Sequence, residues 1–89
     1  MKIVAVCGAG MGTSMILKIN AEKALKAIDY EATVDAVSLE VAMSQRDAQI
    51  ILTTKDLVEH LKGLPSEVIV LDHVFDLEEL KAKLSRSLL

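Results

Sequence analysis

The 89-residue chain has no tryptophan and only two other aromatic residues, Tyr30 and Phe75, so it offers no platform on which bases could stack. Its ten lysines and arginines are outnumbered by thirteen aspartates and glutamates, and the formal net charge of −3 argues against a surface that tracks a phosphate backbone. Nucleic acid is not expected as a partner. The single cysteine, Cys7, excludes an internal disulfide and a CxxC redox pair and gives no support to a zinc site. No apolar run approaches the ~20 residues that cross a bilayer, and the apolar part of MKIVAVCGAGMG is too short for a secretory signal. A cytoplasmic location is expected, and in that reducing compartment Cys7 stays a thiol. With one proline, no repeat and no low-complexity stretch there is no linker, so residues 1–89 are expected to form one domain. A hydrophobic fraction of 52% is enough to give that domain a core.

The glycine that is present is concentrated. Three of the four glycines, Gly8, Gly10 and Gly12, follow Cys7 directly in VCGAGMGTS, residues 6–14. Glycine loses backbone entropy on folding, so such a run fits a place where the chain needs unusual dihedrals or where something approaches its amides closely.

Hydrophobic periodicity places that loop. KIVAVC, from Lys2, is a continuous β-branched run of the kind buried on both faces of a parallel sheet. A helix is expected from Thr13 or Ser14, because Leu17, Ala21, Ala24, Leu25 and Ile28 share one face while Lys18, Glu22 and Lys26 share the other. Glu22 and Lys26 have i,i+4 spacing. EATVDAV, from Glu31, alternates polarity and suits an edge strand, and a short helix follows from Ser38 to about Gln45. AQIILTT repeats the buried-strand pattern. Thr54 can then cap a helix over KDLVEHLK, residues 55–62, with Leu57, Val58 and Leu61 inward and Gly63 at its end. EVIVLD is a fourth strand. Asp76 and Glu79 have capping-box spacing before a last helix whose Leu77, Leu80, Leu84 and Leu88 form one core-facing stripe.

Strict alternation of strand and helix predicts an α/β three-layer sandwich with a four-stranded parallel sheet and right-handed crossovers. Placing the alternating strand at an edge and the oily strands centrally gives the order 2-1-3-4, a flavodoxin-like or Rossmann-like topology. The topological switch point then lies beside strand one, so Cys7 and its loop sit at the crevice. A glycine loop running into a helix amino terminus aims amide N–H groups into one concavity and adds the positive end of the helix dipole, which suits an anion. The same field stabilises a thiolate, so Cys7 is expected to ionise below the ~8.5 of free cysteine.

Several glycine-loop motifs fit poorly. The spacing GxGxG is not the dinucleotide fingerprint GxGxxG, and no lysine precedes Thr13 or Ser14 as a Walker loop requires. A low-molecular-weight phosphatase or arsenate reductase of that type has a C-x5-R loop whose arginine clamps the oxyanion. Here C-x5 ends at Thr13. Three readings remain open on the residues alone: a thiolate that accepts a phosphoryl group and hands it on, a phosphatase or arsenate-reductase-like enzyme, and a non-catalytic anion-binding regulatory module in which Cys7 only packs.

The segment KIVAVCGAGMGTSMILK resembles the active-site segment of enzyme IIB components of the bacterial sugar phosphotransferase system, in the lactose, galactitol and ascorbate group. Its C-G-x-G-x-G-[ST]-S form, followed by an apolar triplet and a lysine, is most like the ascorbate-type members. The specific motif covers residues 3–18, and the element order extends the similarity over the chain. The resemblance implies a phosphocysteine carrier: a histidine-phosphorylated IIA protein donates to Cys7, and the phosphate passes to a sugar or sugar-like substrate, with ascorbate the best match, held by a membrane-embedded IIC transporter. It carries over Cys7 as the nucleophile and Gly8, Ala9, Gly10, Met11, Gly12, Thr13 and Ser14 as the phosphate loop, with no cofactor and no metal. Thr13 stands where ascorbate-type members often have serine and keeps the hydroxyl. Thr13 and Ser14 can equally act as helix caps, and Met11, flanked by glycines, suits contact with a partner. His60 is expected on a solvated helix face, and His73 at the same sheet edge as the loop but two strands away.

Overall fold

The computed structural model of the chain describes residues 1–6, 11–44, 47–73 and 76–88, with residues 11–13 described at the backbone alone. Along them run β1 (Lys2–Ala5), α1 (Met11–Ala27), β2 (Thr33–Ala36), α2 (Leu39–Ser44), β3 (Ile50–Thr53), a 3-10 turn at Val58–Leu61, β4 (Glu67–Val70) and α3 (Leu77–Leu88). The strands form one parallel sheet in the order β2-β1-β3-β4, as the polarity of the strands predicts. The two most apolar strands, β1 and β3, lie inside it. β3 is buried along its whole length and β1 from Ile3 onward, while Thr33 and Asp35 of edge strand β2 face solvent.

Successive strand side chains point to opposite faces, and two cores result. Ile3, Ala5, Val34, Ile50, Leu52 and Ile69 pack under α1 and α3, against Leu17, Ala21, Leu80 and Leu84 among others. Val4, Val6 and Ile51 pack on the opposite face against Ala42 of α2 and against Leu57 and Leu61 around the 3-10 turn. The expected three layers are thus present. Among the described residues no helix is long and apolar enough to cross a membrane. At the start of α3, the Asp76 carboxylate accepts the N–H groups of Glu78 at 3.1 Å and Glu79 at 3.2 Å, the cap that the sequence predicts.

Three local expectations are corrected. α1 starts at Met11 rather than at Thr13 or Ser14. The helical register that buries Leu17 and Ala21 also buries Ser14, at i−3 and i−7 from them, so Ser14 is already inside the helix and is 1% exposed. Glu22 pairs with Lys18, one turn earlier, at 3.7 Å, not with Lys26. The helix expected over residues 55–62 is instead the single 3-10 turn, held by N–H groups of Leu57 and His60 donating to the carbonyls of Thr54 and Leu57. The Thr54 hydroxyl binds the Asp56 carboxylate instead of capping the backbone. Gly63 does end the segment in the left-handed region, at φ +88°.

The stripe on α3 gives the first prediction. Leu84 is fully buried and Leu88 only partly. Leu84→Ala is expected to lower unfolding stability by about 2–5 kcal/mol, and Leu88→Ala by clearly less, measured as shifts in the urea midpoint at constant m-value.

Candidate functional site

β1 is held on both sides where it ends. Val6 N–H donates to the Leu52 carbonyl of β3 at 2.8 Å, and Val37 N–H donates to the Ala5 carbonyl at 3.1 Å. Val6 is fully buried. From β1 the chain crosses by α1 to β2, whereas from β3 it crosses by the 3-10 turn to β4, on the other side of the sheet. The connections therefore part at the carboxyl ends of β1 and β3, where open α/β sheets hold ligands.

The candidate nucleophile Cys7, with Gly8, Ala9 and Gly10, lies outside the described residues, and the side chains of Met11, Gly12 and Thr13 lie outside them too. The frame around them is described. A five-residue connection, residues 6–10, joins β1 to the first turn of a 17-residue helix. That first turn, from Met11 to Ser14, carries no acidic residue. The leading N–H groups of a helix have no intrahelical acceptor, and here no carboxylate of the turn neutralises the positive end of the dipole. The connection bearing Cys7 thus leads into a backbone environment favourable to negative charge. Of the eight candidate residues only Ser14 has a described side chain, and it is buried at the base of α1.

The same sheet edge continues over β3 and β4. There a cavity of about 590 Å³ is lined by Thr54, Lys55, Asp56, Leu71, Asp72 and His73. Lys55 bridges Asp72 at 3.2 Å across it, with both side chains more than half exposed, so the pair adds little stability. His73 is exposed just beyond β4, two strands from β1 as expected, and His60 is exposed in the 3-10 turn. A larger cavity of about 690 Å³ lies at the opposite edge, by Met1, Tyr30 and Thr33, away from the end of β1. Among the described residues no three His, Cys, Asp or Glu side chains are grouped as a metal site.

The sequence reading missed the role of Glu79. Its carboxylate does not turn back to Asp76 as a capping box requires. It accepts the backbone N–H groups of Asp72 and His73, each at 3.0 Å, together with the Lys83 ammonium at 2.9 Å. Lys83 also donates to the Val70 carbonyl at 2.6 Å. The connection leaving β4 is thereby tied to α3. The Asp72 N–H, then the Lys83 ammonium and the His73 N–H, hold the Glu79 carboxyl down at about 2 against the opposing effect of burial. Spacing alone could have paired Glu79 with Lys83 at i,i+4, but not with amides of another segment.

The family described as PTS system, lactose/cellobiose specific IIB subunit, matches residues 2–86. An ascorbate-specific PTS system EIIB component of Mycoplasma pneumoniae is 34% identical over 88 residues, covering 97% of this chain and 93% of its own. The lactose-specific IIB component domain from Streptococcus pneumoniae superposes with a TM-score of 0.68 over 99% of this chain and 94% of that one. At 14% identity that likeness concerns the fold.

Glu79 provides a prediction with a defined sign. Its pKa in the folded protein, about 2, lies below the ordinary 4.5, so the unfolded chain binds more protons between those values. The contribution to stability is complete above about 4.5 and is lost as pH falls toward 2. Glu79→Gln is expected to cost about 1–3 kcal/mol at neutral pH and to flatten the fall of the thermal midpoint between pH 5 and 2, since glutamine does not titrate. An unchanged acid limb would contradict the tie. Asp47, held below its ordinary range by the Lys2 ammonium, retains its own slope in either protein.

Proposed function

The chain belongs to the lactose/cellobiose-specific IIB family of the phosphotransferase system, and from that premise we propose that it carries the phosphoryl group on Cys7. As a IIB component it works between IIA and IIC partners in sugar phosphotransfer. The observation that best supports Cys7 is the acid-free first turn of α1, reached four residues after it from the clamped end of β1. In this reading the protein is a cytoplasmic protein-phosphocysteine–sugar phosphotransferase.

The Cys7 thiolate attacks the phosphorus of a phosphohistidine on the IIA protein. The S–P bond forms as the N–P bond breaks, and the departing imidazole keeps the electron pair and takes up a proton. Charge on the three equatorial oxygens, the main demand of a loose phosphoryl transition state, is met by the amides of residues 8–13, the Thr13 hydroxyl and the helix dipole. Ser14, carried over as the last residue of the phosphate loop, is buried within the first turn of α1. The second transfer reverses the roles: a substrate hydroxyl attacks, the O–P bond forms as the S–P bond breaks, the thiolate leaves with the electron pair, and the hydroxyl proton passes to water. Stabilisation of that thiolate by the loop then favours departure as well as attack.

Ascorbate is the proposed substrate, supported by the ascorbate-specific relative at 34% identity. Membranes holding a cognate IIC transporter should form phosphorylated ascorbate from phosphorylated protein, and formation of lactose phosphate instead would reassign the substrate.

Incubation with pre-phosphorylated IIA protein should add one phosphoryl mass to the chain, mapped to Cys7. Cys7→Ser should fold with an unchanged melting curve yet gain no phosphate, because the alcohol stays protonated where the thiol ionises. Phosphorylation of the serine variant at the wild-type rate would sink the assignment. Thiolate absorbance is expected to titrate below the ~8.5 of free cysteine, and a midpoint at or above that value would remove the helix-terminus argument.

A further inference from the structure

The solvent side of α1 changes character along its length. Met15, Ile16 and Ile19 are 45%, 40% and 45% exposed. Beyond them the helix presents Glu22, Lys23 and Lys26 to solvent. The helix packs on the sheet through Leu17, Ala21, Ala24 and Leu25 and leaves the three apolar side chains without a place in either core. Met15 and Ile19 are i,i+4 neighbours with Ile16 alongside, so the three make one ridge. At 1.5 Å per residue it begins ~6 Å and ends ~12 Å along the axis from Met11. Cys7 is four residues before Met11, within ~14 Å of it even along a fully extended chain.

We infer that this ridge is the docking surface for the phosphohistidine-bearing donor protein. The inference rests on the carrier reading above and adds to it where the donor sits. Continuity is the first argument. The N–P bond breaks only if the donor's histidine meets Cys7, so the donor's surface must cover ground beside the β1–α1 connection, and the ridge borders that ground. Size is the second. Three side chains supply a small part of the ~800 Å² per partner of a stable complex, too little to hold a second copy of this chain but suited to a partner that must dock, transfer and leave.

Charge separates the donor from the transporter. α1 carries Lys18, Lys23 and Lys26 against Glu22, a net of +2, in a chain of net −3, so the remaining residues sum to −5. A donor arrives with a negatively charged phosphoryl group that this helix attracts, and it loses that charge on transfer, which weakens the attraction and favours release. Cytoplasmic loops of membrane transporters carry an excess of lysine and arginine, which the cationic helix repels.

The test compares two phosphoryl sources on the full-length chain: a purified IIA protein, phosphorylated beforehand on its histidine, and phosphoramidate, a small donor that needs no docking surface. The double variant I16E/I19E is expected to raise KM for the phosphorylated IIA protein by about tenfold or more, equivalent to about 1.4 kcal/mol of lost binding. Its kcat and its phosphorylation by phosphoramidate should stay unchanged. I16K/I19K should also raise KM, since it removes the apolar contact while keeping a cationic helix. An unchanged KM in the glutamate variant, or an effect confined to it, overturns the docking surface and leaves the carrier reading standing. Equal slowing with both sources would mean that the ridge acts through the loop, and impaired delivery to IIC membranes with normal donor kinetics would give the ridge to the transporter. Each overturns the inference. Wild-type protein that neither source phosphorylates would overturn the carrier reading, and the inference with it.

Discussion

The parallel pairing of β1 between β2 and β3 is the constraint on which everything else rests. A central strand flanked on both sides needs two crossovers, and right-handedness sends them to opposite faces when the strand order reverses. The chain obeys: α1 covers one face on its way to β2, and α2 covers the other on its way to β3. At the reversal the strand ends with its last groups bonded to both neighbours. A residue attached there is anchored by the most buried part of the molecule, Ile3 to Val6. That is a rigid base for a reacting group, obtained from topology rather than from a dedicated set of supporting side chains.

The edge shows elsewhere how backbone amides hold negative charge. Two successive N–H groups, from Asp72 and His73, converge on the Glu79 carboxylate and, with Lys83, depress its pKa to about 2. The carboxylate belongs to α3 and the amides to the connection after β4, so an internal anion ties that connection to the helix. The first turn of α1 contains no acidic residue, and in the proposal above the attraction of its amides is reserved for an anion from outside. One device, amides facing an anion, thus serves structure at β4 and is the basis of the chemistry proposed at β1.

Much of this was legible in the residues because burial dictates pattern. The uninterrupted apolar runs of β1 and β3 require cover on both faces, while Thr33 and Asp35 mark β2 as an edge, and those facts suffice for the order β2-β1-β3-β4. The Leu80 and Leu84 stripe and the Asp76 cap are local signals and were read correctly. Failures came where tertiary context or a side-chain competitor decided. The start of α1 lies at Met11, with Ser14 already buried on the face of Leu17, which no capping rule reveals. Residues 55–62 carry helical spacing, but the Thr54–Asp56 bond favours the 3-10 turn. Glu79 bonds to amides of a separate segment, a contact without a spacing signature. The candidate loop itself was legible as a motif, through Cys7 and its three glycines, and not as geometry.

The missing arginine in that motif bears on which chemistry the crevice favours. A hydrolase must hold the phosphoryl group while water attacks in line, and a C-x5-R loop does so with a bidentate guanidinium that also neutralises the developing charge. With Thr13 in the arginine position, the loop keeps neutral donors alone. In the carrier reading proposed above, such donors favour a thiolate and receive a phosphoryl group from a reactive N–P bond, but they offer no charged clamp to accelerate attack by water. A carrier has the opposite requirement from a hydrolase, since its S–P bond has to survive until an acceptor is presented. Weak stabilisation by amides and hydroxyls, on a strand end rigid enough to present the sulfur to two partners in turn, meets that requirement.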